Sequence, residues 1–85
     1  MAKQKVDLDR GRIAVQEMQA QLISACQAKL MTLGLQAPEI QKLYDISKID
    51  LYSVVSGKGN IPFARLVMFA ANLGYTVDLV VSENG

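Results

Sequence analysis

The stretch LYDISKIDLYSVVSGKGN, from Leu43 to Asn60, constrains the fold more tightly than any other part of the chain. It holds two short amphipathic pieces around a tight Asp45-Ile46-Ser47 break, and the second piece stops at Ser-Gly-Lys-Gly. Pro38 suits the first turn of a helix before the break, since its missing N–H would be unpaired there anyway. Glu39 adds a favourable charge at that end. Ile40, Leu43 and Tyr44 are expected to form the inner face of this helix. Ser47 is a natural N-cap for a following helix, Lys48 to Ser56, with Leu51, Val54 and Val55 inward. Gly57 and Gly59 end it. Two such helices either present the second one for reading something or simply pack a core, and the rest of the chain bears on which.

Upstream, from Arg12 to Leu33, apolar residues fall at Val15, Met18, Leu22, Ala25, Cys26, Met31 and Leu33, with Ile13, Ile23 and Leu30 beside them. This is mostly helical spacing in a run rich in helix-forming Gln, Ala, Leu and Met. It predicts a long first helix with Asp9 as N-cap and Gly34 as its stop. Downstream, Asn60 as cap and Pro62 as opener predict a fourth helix with Phe63, Leu66, Val67, Ala70 and Leu73 inward, closed by Gly74. The last segment changes period. In YTVDLVV, Tyr75, Val77, Leu79 and Val81 alternate with Thr76, Asp78 and Val80, which predicts a strand. A lone strand needs a partner for its N–H and C=O groups. No second strand is evident in the chain, so the same strand of another copy is the simplest partner.

The chain has 85 residues, and a domain of that size buries only about 60–65% of the surface its unfolded chain exposes. One domain is therefore expected, with residues 1–9 as a flexible arm, 10–74 helical, and 75–85 a dimerisation strand and tail. No apolar run approaches the roughly 18–20 residues of a membrane span. The polar N-terminus MAKQKVDLDR lacks the apolar core of a secretory signal. Cys26 is the one cysteine, so no internal disulfide can form. These features predict a cytoplasmic protein. There is no histidine and hence neither a zinc set nor an imidazole partner for the thiol. The Ser-Gly-Lys-Gly run is not a phosphate-binding P-loop, because Tyr52 and Gly59 stand where that loop needs Gly and Ser or Thr. No catalytic residue, cofactor or metal is expected. Net charge is +1, with lysines and arginines in the arm and the middle of the chain and acidic residues at its end. That distribution permits a local basic face of the kind a nucleic-acid binder needs.

Gly34 to Gly74 resembles the helix-turn-helix domain of lambda-repressor-like (Cro/CI, XRE) regulators. The resemblance rests on the Asp45-Ile46-Ser47 turn, the apolar trio Ile46, Leu51 and Val54, the Ser-Gly-Lys ending, and the fourth helix running to FAANLG. It covers roughly half the chain. The chain departs from the family pattern at Ala37, where Gln is usual and commonly contacts phosphate. It departs also at Gln41, where a small Ala is usual, and at Asp45, where Gly is usual. Asp tolerates a left-handed backbone better than most residues, so the turn is retained.

The resemblance implies a mainly α fold, a four- to five-helix domain with a C-terminal strand pairing across a dimer. It implies a dimeric repressor on an inverted-repeat operator in double-stranded DNA. The family's base-reading positions fall on Lys48, Ile49, Asp50 and Ser53. Lys48 can donate to guanine, Ile49 can touch a thymine methyl, and Asp50 can accept from cytosine N4. Tyr52, Ser56 and Lys58 are placed for phosphates, which fix register without carrying sequence information. Dimerisation falls to Tyr75, Val77, Asp78, Leu79 and Val81. An alternative keeps the same fold but makes a partner protein, such as a toxin, the main ligand, with DNA binding as autoregulation.

Overall fold

The computed structural model describes residues 8–58, 60–78 and 83. Four helices follow one another: α1 (Leu8–Leu33), α2 (Ala37–Tyr44), α3 (Lys48–Ser56) and α4 (Phe63–Asn72). Among the described residues no helix is long and apolar enough to cross a membrane. The long first helix begins at Leu8, one residue ahead of the expected cap Asp9, and its end is set by Gly34 at φ 64°. The fourth helix starts after Pro62, so Asn60 is not its cap.

Helices of eight to ten residues, like α2, α3 and α4, are too short to persist alone and depend on packing of an apolar face. Here the second half of α1 supplies the common surface. Cys26 and Leu30 are buried, and Leu22, Ile23 and Leu33 pack beside them, a stripe at steps of three and four residues. From α4, Leu66, Phe69, Ala70 and Leu73 close onto that stripe with the same spacing. Ile40, Ile46, Leu51, Val54 and Ile61 complete the core.

Several side chains expected inside lie outside. Ile13 and Val15 are exposed, as are all of residues 10–17 in the first part of α1. Met31 and Leu43 are exposed as well. Phe69, which the sequence reading left out of the α4 face, is among the most buried residues.

Polar links tie the helices where the apolar stripe does not. The Gln27 amide donates to the Val54 carbonyl (2.8 Å) and, less closely, to that of Val55 (3.4 Å). These are carbonyls of the last turn of α3, which have no partner within the helix. Gln19 reaches the Ile61 carbonyl in the same manner. Gly57, at φ 70°, ends α3 in a left-handed cap whose N–H donates to Ser53. Only glycine takes that backbone without steric cost.

The expected strand is not seen among the described residues. Tyr75–Asp78 carry no strand pairing, whereas Leu79 and Val81 lie outside the described residues. The physical reason is that a ladder needs a second strand, and the described chain offers none. Tyr75 is instead tied to the body. Its N–H donates to the Ala70 carbonyl, and its hydroxyl donates to the Ala25 carbonyl at 2.9 Å.

Candidate nucleic-acid interface

The α2–α3 connection is a built turn. Asp45 takes a left-handed conformation (φ 54°, ψ 51°), and its N–H and that of Ile46 both return to the Gln41 carbonyl. Ile46 is buried and pins the turn to the core. The Ser47 hydroxyl accepts from the Asp50 N–H at 3.1 Å, which satisfies one of the free donors at the start of α3. Helix α4 braces the same region from the side. Arg65 pairs with the Asp50 carboxylate at 2.5 Å, and the Asn72 amide donates to the Asp45 carbonyl at 3.4 Å. Arg65 is half exposed, so the ion pair contributes orientation more than stability.

Helix α3 packs on α1 and α2, and the face it turns to them differs from the expected one at two positions. Ser53, expected to face outward as a base reader, is 7% exposed and belongs to the inner face. Val55, expected inside, is 58% exposed. Asp50 is also drawn in and spends its carboxylate on Arg65. The outer stripe of α3 is thus Lys48, Ile49, Tyr52 and Val55, with Ser56 at its edge. Ile49 is 72% exposed and Tyr52 67% exposed, although an isoleucine and a tyrosine would ordinarily seek cover. Lys58 is exposed just beyond the helix, and its N–H donates to the Ser56 hydroxyl at 3.1 Å.

The structure therefore brings Lys48, Ile49 and Tyr52 together on one surface, with Ser56 and Lys58 at its end. It does not bring Ser53 to that surface, and it gives Asp50 a partner inside the molecule. Sequence reasoning missed Val55 as a surface residue. It also missed Arg65 and Asn72 as the braces of the turn. A charge three residues into α4 was visible in the sequence, but its partner is fifteen positions away and emerges only from packing.

A second feature adjoins the stripe. An open apolar groove of about 720 Å³ lies between the second half of α1, the start of α2, and α3. Lys48, Tyr52 and Ser56 form part of its wall. Among the described residues no group of histidine, cysteine or carboxylate side chains could hold a metal ion. Cys26 is fully buried, and burial pushes its thiol up to about 11. It is a small apolar core residue with no reactive character. No family model, curated protein or solved structure matches this chain.

Proposed function

We propose that the protein is a sequence-specific DNA-binding regulator, a dimeric repressor of an inverted-repeat operator that works in the cytoplasm and catalyses no reaction. The observation that carries this reading is the outer stripe of α3. A short helix on a braced turn holds a lysine, an isoleucine and a tyrosine outward, exposed among the described residues. A helix of that kind suits the major groove, with the preceding helix across the backbone. In this reading Lys48 and Ile49 read bases, and Tyr52, Ser56 and Lys58 contact phosphates. Ser53 drops out because it is buried, and Asp50 acts by positioning α3 through Arg65. The segment from Tyr75 to Val81 pairs with its copy across the two-fold axis.

Selection of bound fragments from random duplex DNA tests the proposal. Enrichment of a palindromic consensus is the expected result, and absence of any enrichment removes DNA as the ligand. A second reading, a toxin-binding or adaptor protein that also represses its own promoter, is favoured by one observation. Met31 and Val55 leave apolar surface exposed beside the groove, and patches of that type mark protein interaction sites.

A further inference from the structure

We infer that the groove between α1, α2 and α3 receives a short apolar helix of a different protein, with a carboxylate near one end, and that its occupation and DNA binding exclude each other. The exclusion rests on the DNA reading above, but the groove itself does not. Its floor is Leu30, Ile40 and Leu51, all buried. Its walls are Met31, Tyr52 and Val55, all well exposed. A small molecule would want most of its surface enclosed, which an open groove with such exposed walls cannot give. A helix laid along the groove can meet both the floor and the rim. The α3 wall runs from Lys48 to Ser56, about 12 Å at the helical rise, which matches roughly two turns of a partner helix. Met31 adds an adaptable contact of the sort common at peptide-binding surfaces.

Charge selects the occupant further. Among the described residues Lys48 is the single charged side chain lining the groove, and it stands at one end of the α3 wall. An apolar segment with a carboxylate at that end gains a pairing, and one with a lysine there meets repulsion. The exposed half of α1 in a second copy has apolar residues at helical spacing, Val15 and Met18, but residues 10–17 hold Arg10 and Arg12 against Glu17, a net positive segment that Lys48 disfavours. Lys48, Tyr52 and Ser56 serve both surfaces, so a partner seated in the groove takes the side chains that DNA would need.

The test uses the full chain and a fluorescent helical peptide of about twelve residues, with Leu at i, i+3, i+4 and i+7 and Glu at one end. A companion peptide carries Lys in place of Glu. The acidic peptide is expected to bind at least about tenfold more tightly than the basic one, a difference of about 1.4 kcal/mol. Lys48→Glu should reverse that preference. Val55→Asp should abolish binding of both while circular dichroism stays unchanged, since Val55 lies on the surface. A duplex recovered in the selection should compete with the acidic peptide. No binding of either peptide, or equal binding that ignores Lys48→Glu, overturns the groove. So does a dimer in sedimentation that Val55→Asp dissociates, because a second copy is then the occupant. A ternary complex of peptide, protein and duplex overturns the exclusion. Binding of the acidic peptide by a protein that holds no duplex supports the groove and ends the DNA reading alone.

Discussion

At the scale of single residues, exposure separates the side chains that can act outward from those that cannot. Lys48 stands on the outer stripe and Ser53 does not. Lys48→Ala should weaken specific binding by about 1–3 kcal/mol and relax preference at one position in each half-site, read by competition with single-base operator variants. Ser53→Ala in the same assay should leave base preference unchanged. A uniform loss over all sequences for Lys48→Ala would assign that lysine to the backbone. Cys26 gives a prediction of a different kind. Its thiol is raised from 9.0 to about 11 by burial, so between those values the folded chain keeps a proton that the unfolded chain releases. The unfolded state then binds fewer protons, and stability falls as pH rises through that window and levels off above it. Two units correspond to about 2–3 kcal/mol. Denaturant melts of the native protein and Cys26→Ala at pH 8.5 and pH 11 should show that the native protein loses about that much more than the variant.

At the scale of elements, the helices were legible in the sequence because their ends are chemically marked. Gly34, Ser47, Gly57 and Pro62 each bound a helix through a backbone or capping preference that is local. The faces were less legible. Period alone permitted either Val55 or Ser53 to turn inward. Packing of α3 on α1 and α2 turned Ser53 inward, and such tertiary packing has no local signal. The Gln27 link to the end of α3 is equally invisible before folding, since glutamine in a helix reads as a solvated residue. The first half of α1 differs for the opposite reason, its apolar spacing being real and its residues 10–17 nonetheless exposed. That half, with none of the buried core residues, should be held mainly by its helical hydrogen bonds and by extension from the packed half. Amides over residues 12–17 are expected to exchange with solvent about 100-fold faster than those of Cys26 to Leu30. Hydrogen exchange followed residue by residue checks this, and equal protection in both halves would mean that a second molecule covers α1 in solution.

At the scale of the whole molecule, the open matters are charge and symmetry. If DNA is the ligand, phosphate contacts supply much of the affinity, so it should fall steeply with salt. For a dimer using Lys58, Lys3 and Lys5, the log–log slope should be steeper than about −2. Titrations at two salt concentrations measure it, and a flat response would speak against DNA.

Symmetry returns to the C-terminal segment. Tyr75 leaves the body at a fixed point, held by the carbonyls of Ala25 and Ala70, and the alternating residues begin there. The described chain offers no second strand, while two copies related by a two-fold axis can pair the segments antiparallel and satisfy the groups on the shared edge. The same axis would set two α3 helices about 34 Å apart, one turn of DNA, so the operator should be an inverted repeat. Asp78 lies in the middle of the alternating run and is exposed in the single chain. Proline there removes a ladder donor and fixes the backbone at an angle that strands disfavour, while touching nothing in the four-helix core. Asp78→Pro is therefore expected to shift the protein from dimer to monomer in sedimentation and to abolish tight operator binding, with the helical circular dichroism signal retained. A variant that stays a dimer with undiminished affinity would move the two-fold axis elsewhere. The exposed half of α1 would then be the element to test, because it presents Ile13 and Val15 on the surface.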